Sequence, residues 1–256
     1  MQTENVKKKS TLMPVLRNIK WIFVKELHSF FGQNLPPFAM GIFAFLAGLV
    51  SVIVASSGSI TYESLTRALF YFFYLIIMIV SVVLSLPSFV GEKRQGTLEL
   101  LRTLPVTDTE LVIGKFLPGI LYVFIMSFSL TAVYILFIAE GPLYIVMSGF
   151  PGLILVGMYA YSVGIFASSL SGNYLISLLI SSGILLLIDI GGFLGGLLPE
   201  PSRSIVSHLH IVNQFGPFTK GVIPFKGVVV FISLCVLFLF FTVKNLESRR
   251  WRNNDI

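Results

Sequence analysis

Charge is scarce in this sequence: Asp, Glu, Lys and Arg make up 12% of its 256 residues, against about 25% in a soluble globular chain. Cysteine is scarcer still, with Cys235 alone, so a disulfide framework and a cysteine metal cluster are both excluded. A Walker A pattern is missing, because Gly114-Lys115 is followed by Phe116 rather than Ser or Thr and has no glycine five residues upstream. A His-Glu-x-x-His zinc motif is missing too, and the apolar runs hold no histidine that would activate Ser181 or Ser182 as a nucleophile. Nucleotide hydrolysis, metalloprotease and serine-hydrolase chemistry therefore have no residues here to perform them.

What the chain has instead is apolar length. Hydrophobic residues reach 55%, and nearly uncharged runs extend over Pro37–Ser57, Ala68–Val90, Leu111–Ala139, Pro142–Leu170, Tyr174–Leu198 and Gly227–Val243. Each is close to the roughly 20 residues that an α-helix needs to cross a bilayer. The sequence predicts an all-α polytopic membrane protein of six transmembrane helices, with an N-terminal part (1–35), a six-helix domain (36–245) and a tail (246–256). The pieces between the runs are shorter than the roughly 50 residues of a small soluble domain. Any chemistry must then sit in the membrane, in short loops or on a partner. The first long run starts near Pro37 and exceeds the roughly 7 to 15 residues of a signal-peptide core, so no cleavable leader is expected.

The net charge of +6 would suggest nucleic acid on a soluble protein, but its distribution follows membrane topology. With the N-terminus inside, the inner pieces hold Lys7, Lys8, Lys9, Arg17, Lys20 and Lys25, then Lys93, Arg94, Arg102 and Lys115, then Lys244, Arg249, Arg250 and Arg252. The outer pieces hold only Arg67, Arg203, Lys220 and Lys226. Positive residues retained on one side set orientation, which predicts both termini in the cytoplasm and a place in the plasma (inner) membrane.

Residues 13–32 interleave apolar side chains with Arg17, Lys20, Lys25, Glu26 and His28, the pattern of an amphipathic helix lying in the interface with Trp21 at headgroup level. Prolines at 87, 118 and 151 fall within apolar runs and invite kinks. Small residues recur at helical spacing as Ala44, Gly48, Ser51 and Ala55 in the first run, and as Gly191, Gly192, Gly195 and Gly196 in the fifth. Such stripes let helices approach closely, within one subunit or between two. Asp189 stands alone inside the fifth run, where a charge costs on the order of 3 kcal/mol to insert. It needs either a hydrogen-bonding partner at a helix interface or a place on a transport path.

Between the second and third runs lies Glu92-Lys93-x-x-Gly96-Thr97-Leu98-Glu99-Leu100-Leu101-x-x-x-Pro105-Val106. Gly96 and Thr97 offer a helix start, Pro105 a stop, and Thr107-Asp108-Thr109-Glu110 a capping box for the next span. A helix of about two turns is too short to be stable alone, and its leucines call for a covering partner. This string, followed by Gly114-Lys115-Phe116, resembles the cytoplasmic loop of the ABC-2 type transporter permeases, most of all the branch with the gliding-motility permease and the permease for nitrous oxide reductase maturation. The interfacial helix, the six spans, the turn at 168–173 and the ending Leu246-Glu247-Ser248-Arg249-Arg250-Trp251 fit the same pattern.

The resemblance implies a coupling helix that docks on a separate ABC ATPase subunit, with Glu92, Gly96, Thr97, Glu99, Leu100, Leu101 and Pro105 in that role. It also implies that ATP and Mg belong to the partner, that this chain is not itself an enzyme, that two permease subunits enclose a shared path, and that transport is outward. A rival reading is a membrane scaffold or mechanical transmitter that uses the ATPase contact without moving a substrate. His208 and His210, in the longest outer loop, have no cysteine or carboxylate cluster beside them, so a short amphipathic helix is expected there rather than a metal site.

Overall fold

A computed structural model describes residues 17–29, 32, 35–55, 61–97, 106–137, 142–194 and 210–253. Among these residues every regular element is a helix. Residues 17–29 form α1, followed by α2 (Leu35–Ala55), α3 (Tyr62–Ser85), α4 (Pro87–Arg94), α5 (Asp108–Phe137), α6 (Leu143–Leu170), α7 (Tyr174–Leu194), the short α8 (Ile211–Phe215), a 3-10 turn at Phe218–Lys220 and α9 (Phe225–Asn253). Among the described residues, four stretches are long and apolar enough to cross a membrane: Tyr62–Arg94, Asp108–Leu136, Leu143–Leu170 and Phe225–Ser248. Two shorter apolar helices lie at Gly41–Val50 and Tyr174–Ile190.

Local chemistry sets the ends of these helices. Thr107 and Glu110 form the expected reciprocal cap at the start of α5: the Thr107 amide donates to Glu110 Oε2 at 3.2 Å and the Glu110 amide to Thr107 Oγ1 at 3.3 Å. Asn173 opens α7 through an Asx turn, its Oδ1 accepting from the Leu175 amide at 3.0 Å. Pro87 separates α3 from α4, since its ring cannot donate to the ladder. α5 and α6, by contrast, run on through Pro118 and Pro151.

α6 is the hub. It packs on α3, α5, α7 and α9, while α2 lies against α3 and α5. Gly157 makes the close approach possible, because a Cβ there would collide with Val123 of α5 and Ile77 of α3. At one end of the bundle α8 and the 3-10 turn fold back inward, with Phe215 and Phe218 fully buried. Phe215 meets the Tyr74 ring at 5.0 Å, and Ser148 of α6 donates to the Phe218 carbonyl at 2.6 Å. At the opposite end α1, α4 and the start of α5 converge. α2 and α7 are peripheral and carry exposed apolar side chains such as Phe45, Ile53, Leu179 and Leu187.

Candidate functional site

The end where α1 meets α4 and α5 holds a set of paired charges in the interior. α1 turns Ile19, Ile22, Phe23 and Glu26 inward at helical spacing and leaves Arg17, Lys20, Trp21 and His28 exposed. Ile22 sits on Gly114 of α5, where a Cβ would strike it. That contact brings Glu26 beside the next residue, Lys115, whose side chain is only 1% exposed. Lys115 Nζ lies 2.8 Å from Glu26 Oε1 and 2.8 Å from Glu92 Oε1, and 5.3 Å from the centre of the Phe89 ring. Lys25 closes the cluster at its rim, 3.3 Å from Glu92 Oε1. Two ammonium groups thus face two carboxylates, the buried Lys115 between them and Lys25, 57% exposed, supplying the second positive charge from the solvent side.

Three helices are locked by this arrangement, and neighbouring contacts reinforce each of them. Asn18 of α1 donates to Glu110 Oε2 at 3.2 Å, a second tie to α5 two turns away from Glu26. α4 is held against the end of α6. Ser168 Oγ accepts from the Phe89 and Val90 amides at 3.0 and 3.2 Å and donates to the Leu86 carbonyl at 2.8 Å, satisfying the backbone groups freed by Pro87. Lys93 Nζ donates to the carbonyls of Ser168, Ser169 and Ser171, capping the negative end of α6. Arg94 lies over the Tyr174 ring at 4.7 Å. Asn245 of α9 donates to the Ser169 carbonyl at 2.8 Å.

Gly96, at φ 69°, ends α4 in the left-handed conformation that glycine tolerates best. Thr97 Oγ1 then donates back to the Glu92 carbonyl at 3.4 Å. Val106 leads into the capped start of α5, so the residues flanking 98–105 on both sides belong to helices that carry the charged cluster.

A family model described as ABC-2 family transporter protein matches residues 35–189, more than half of the chain. The chain belongs to the ABC-2 transporter family. A comparison with curated proteins returns no match. As an ABC-2 permease it is a multi-pass membrane component of an ABC transporter, and membership implies an ABC ATPase subunit as partner. The matched region includes Glu92 and Lys115 but stops short of α1 and Glu26.

The residues singled out in the sequence scatter across this permease. Glu92 is buried in the ion cluster and Gly96 and Thr97 mark the exit from α4, whereas Glu99, Leu100, Leu101 and Pro105 lie outside the described residues. Gly48 is buried within the chain and Ala44 is half-buried; Ser51 and Ala55 belong to the end of α2. Gly191 and Gly192 continue the helical backbone of α7, and Gly195, Gly196 and His208 fall outside the described residues. Asp189 is half-buried near the end of α7, and His210 precedes α8.

Sequence reasoning missed Lys115 and Glu26 as a pair. Glu26 reads as one more polar residue of an amphipathic helix, and the signal that would have drawn it out is its spacing of three and four residues from Phe23 and Ile22 on the apolar stripe.

Proposed function

We propose that this chain is the six-span permease subunit of an ATP-driven exporter, in which two permease copies, or one copy and a related permease, are driven by separate ATPase subunits that bind ATP and Mg. In this reading α2 and α7 are the first and fifth spans, α1 lies in the cytoplasmic interface, and the end with the ion cluster faces the cytoplasm. The charge bias of the sequence supports that orientation, with both termini inside and the protein in the plasma membrane. The branch of gliding-motility and nitrous oxide reductase maturation permeases remains the proposed kinship within the family.

The observation that carries the reading is the Lys115–Glu26–Glu92 cluster at the root of the 98–105 segment. A coupling helix is useful only if displacement at its surface reaches the spans. Here the segment begins six residues after Glu92 and returns through a capped turn to α5, which carries Lys115. A push on it would therefore move α1, α4 and α5 together rather than unravel a loop. In this assignment Leu98, Leu100 and Leu101 meet the ATPase, Glu99 pairs with it, Pro105 ends the helix, and Glu92, Gly96 and Thr97 anchor it on the permease side. The glycines of the fifth span, Gly191, Gly192, Gly195 and Gly196, form the seam between permease subunits. In the first span Gly48 is already covered by its own chain, which favours the fifth-span half of that seam.

Co-expression with the ATPase tests this. Leu101→Asp should insert and fold normally yet fail to co-purify with the ATPase, because an unpaired charge buried at the contact costs a few kcal/mol, about 100-fold in affinity. Normal co-purification would sink the docking assignment. A complex that assembles and turns over ATP in liposomes while no substrate stimulates it would replace the exporter with the scaffold.

A further inference from the structure

α1 is covered on one side only. Its inward stripe rests on α5, while Arg17, Lys20, Trp21, Val24 and His28 are exposed. At about 3.6 residues per turn these five fall within an arc of roughly 100°. The carboxylate that α1 carries, Glu26, is turned away from them onto Lys115. Among the described residues neither Arg17 nor Lys20 enters an ion pair. The outward face therefore combines unbalanced positive charge with an indole that is 70% exposed, the composition of helices that lie on acidic bilayer surfaces.

The neighbour on which α1 rests points to what covers that face. On α5, Ile113, Leu117, Leu121, Phe124 and Phe128 are exposed at steps of three and four residues, a continuous apolar stripe that begins in the second turn of the helix. The proposed seam between subunits lies on the first and fifth spans, so this stripe on the third is left to lipid. Ile22 seats on Gly114, next in sequence to Ile113 and roughly 60° around α5 from the middle of the stripe. α1 thus crosses the shoulder of a lipid-facing surface where that surface starts, which sets Arg17, Lys20 and Trp21 at the level where hydrocarbon gives way to headgroups. Phosphate groups of anionic lipid complement that charge, and each basic side chain near such a surface gains about fivefold in affinity.

We infer that the outward face of α1 is a docking surface for anionic phospholipid, with Arg17 and Lys20 holding the headgroup phosphates and Trp21 inserted beside them. This rests on the permease reading, which lays α1 in the cytoplasmic interface, and adds to it the class of lipid that α1 selects. Binding itself needs neither the ATPase nor transport.

The test uses the full chain in phosphatidylcholine vesicles without the ATPase. Trp251→Phe leaves Trp21 as the one tryptophan, and its fluorescence is quenched by phosphatidylglycerol or phosphatidylcholine brominated on the acyl chain. The mole fractions that quench by half give a relative affinity. Both leaflets have the same composition, so the result does not depend on orientation, and a negative one leaves the ATPase docking assignment, tested by Leu101→Asp, standing. Phosphatidylglycerol should be preferred at least about fivefold. Arg17→Gln/Lys20→Gln, both at exposed positions, should cut the preference about fivefold or more, and molar sodium chloride should suppress it. Lys226→Gln, at the far end of the bundle, should leave it unchanged. Equal quenching by the two lipids, or an undiminished preference in Arg17→Gln/Lys20→Gln, would overturn the lipid surface. Loss of the preference in millimolar inorganic phosphate but not in chloride of equal ionic strength would replace it with a site for free phosphate. Shielding of Trp21 from both brominated lipids when the ATPase is added would give the face to that protein instead.

Discussion

Lys115 is a long, flexible cation placed where almost no water reaches, and only the two carboxylates beside it make that position tolerable. Removing the ammonium strands Glu26 and Glu92 with nothing but Lys25 between them and the interior. The expected cost of Lys115→Met is about 3–5 kcal/mol, the usual penalty for breaking a buried ion pair from one side. In a chain of this size that lowers the unfolding midpoint by on the order of 10 °C. Cys235 is free and buried, so a thiol-reactive dye that reports its exposure reads the transition. The double variant Lys115→Met/Glu92→Gln should recover part of the loss, because it leaves one stranded charge instead of two. Lys25 has a side chain 57% exposed, and Lys25→Met should change stability by no more than about 1 kcal/mol. Equal losses in the Lys25 and Lys115 variants would show that the cluster is wetter than its geometry implies.

At the scale of elements, the α3–α4 break depends on one hydroxyl. Ser168 Oγ serves the Phe89 and Val90 amides and the Leu86 carbonyl at once, so Ser168→Ala should cost about 1–3 kcal/mol for groups left unpaired. Ser233→Ala, at an exposed hydroxyl on α9, is the control and should stay within about 0.5 kcal/mol. The same thermal assay checks both. This junction also shows what the sequence could tell. Long apolar runs announce helices because a 3.6-residue ladder is the way to satisfy backbone in lipid, and α3, α5, α6 and α9 fall where the runs are. The capping box at Thr107 and Glu110 was readable because both partners lie within one turn. The sequence does not announce α4 as a separate helix ended by Gly96, since its break at Pro87 is stable only through Ser168, roughly eighty residues away. Close packing was sought in the first and fifth spans, where small residues form visible stripes. In α6 the residues that let α3 come close are Gly149, Gly157 and Gly164, set seven or eight residues apart rather than in the four-residue stripes that were sought. The grouping of Glu26, Glu92 and Lys115 stayed hidden because each lies in a different element, and only the fold brings Lys115 to 2.8 Å from both carboxylates. The residues proposed to face the ATPase, from Glu99 to Pro105, lie outside the described residues, so there the sequence remains the guide.

For the whole molecule, the proposed orientation makes one prediction about sidedness. Single cysteines at the exposed positions Lys20 and Gln95, in a Cys235→Ser background, should resist an impermeant thiol reagent in intact cells, whereas one at the exposed Lys226 should react. Labelling at Gln95 from outside would invert the topology and with it the docking face. The ion cluster has a further consequence, in the order in which the chain is made. Synthesis runs from the N-terminus, so Glu26 and Glu92 emerge from the ribosome before Lys115 exists. Until α5 arrives, the two carboxylates have only Lys25 to balance them, and α1 lacks its contacts with Gly114 and Lys115. Delivery of Lys115 neutralises both in one step. α5 is thus the part whose arrival commits everything made before it to its final place.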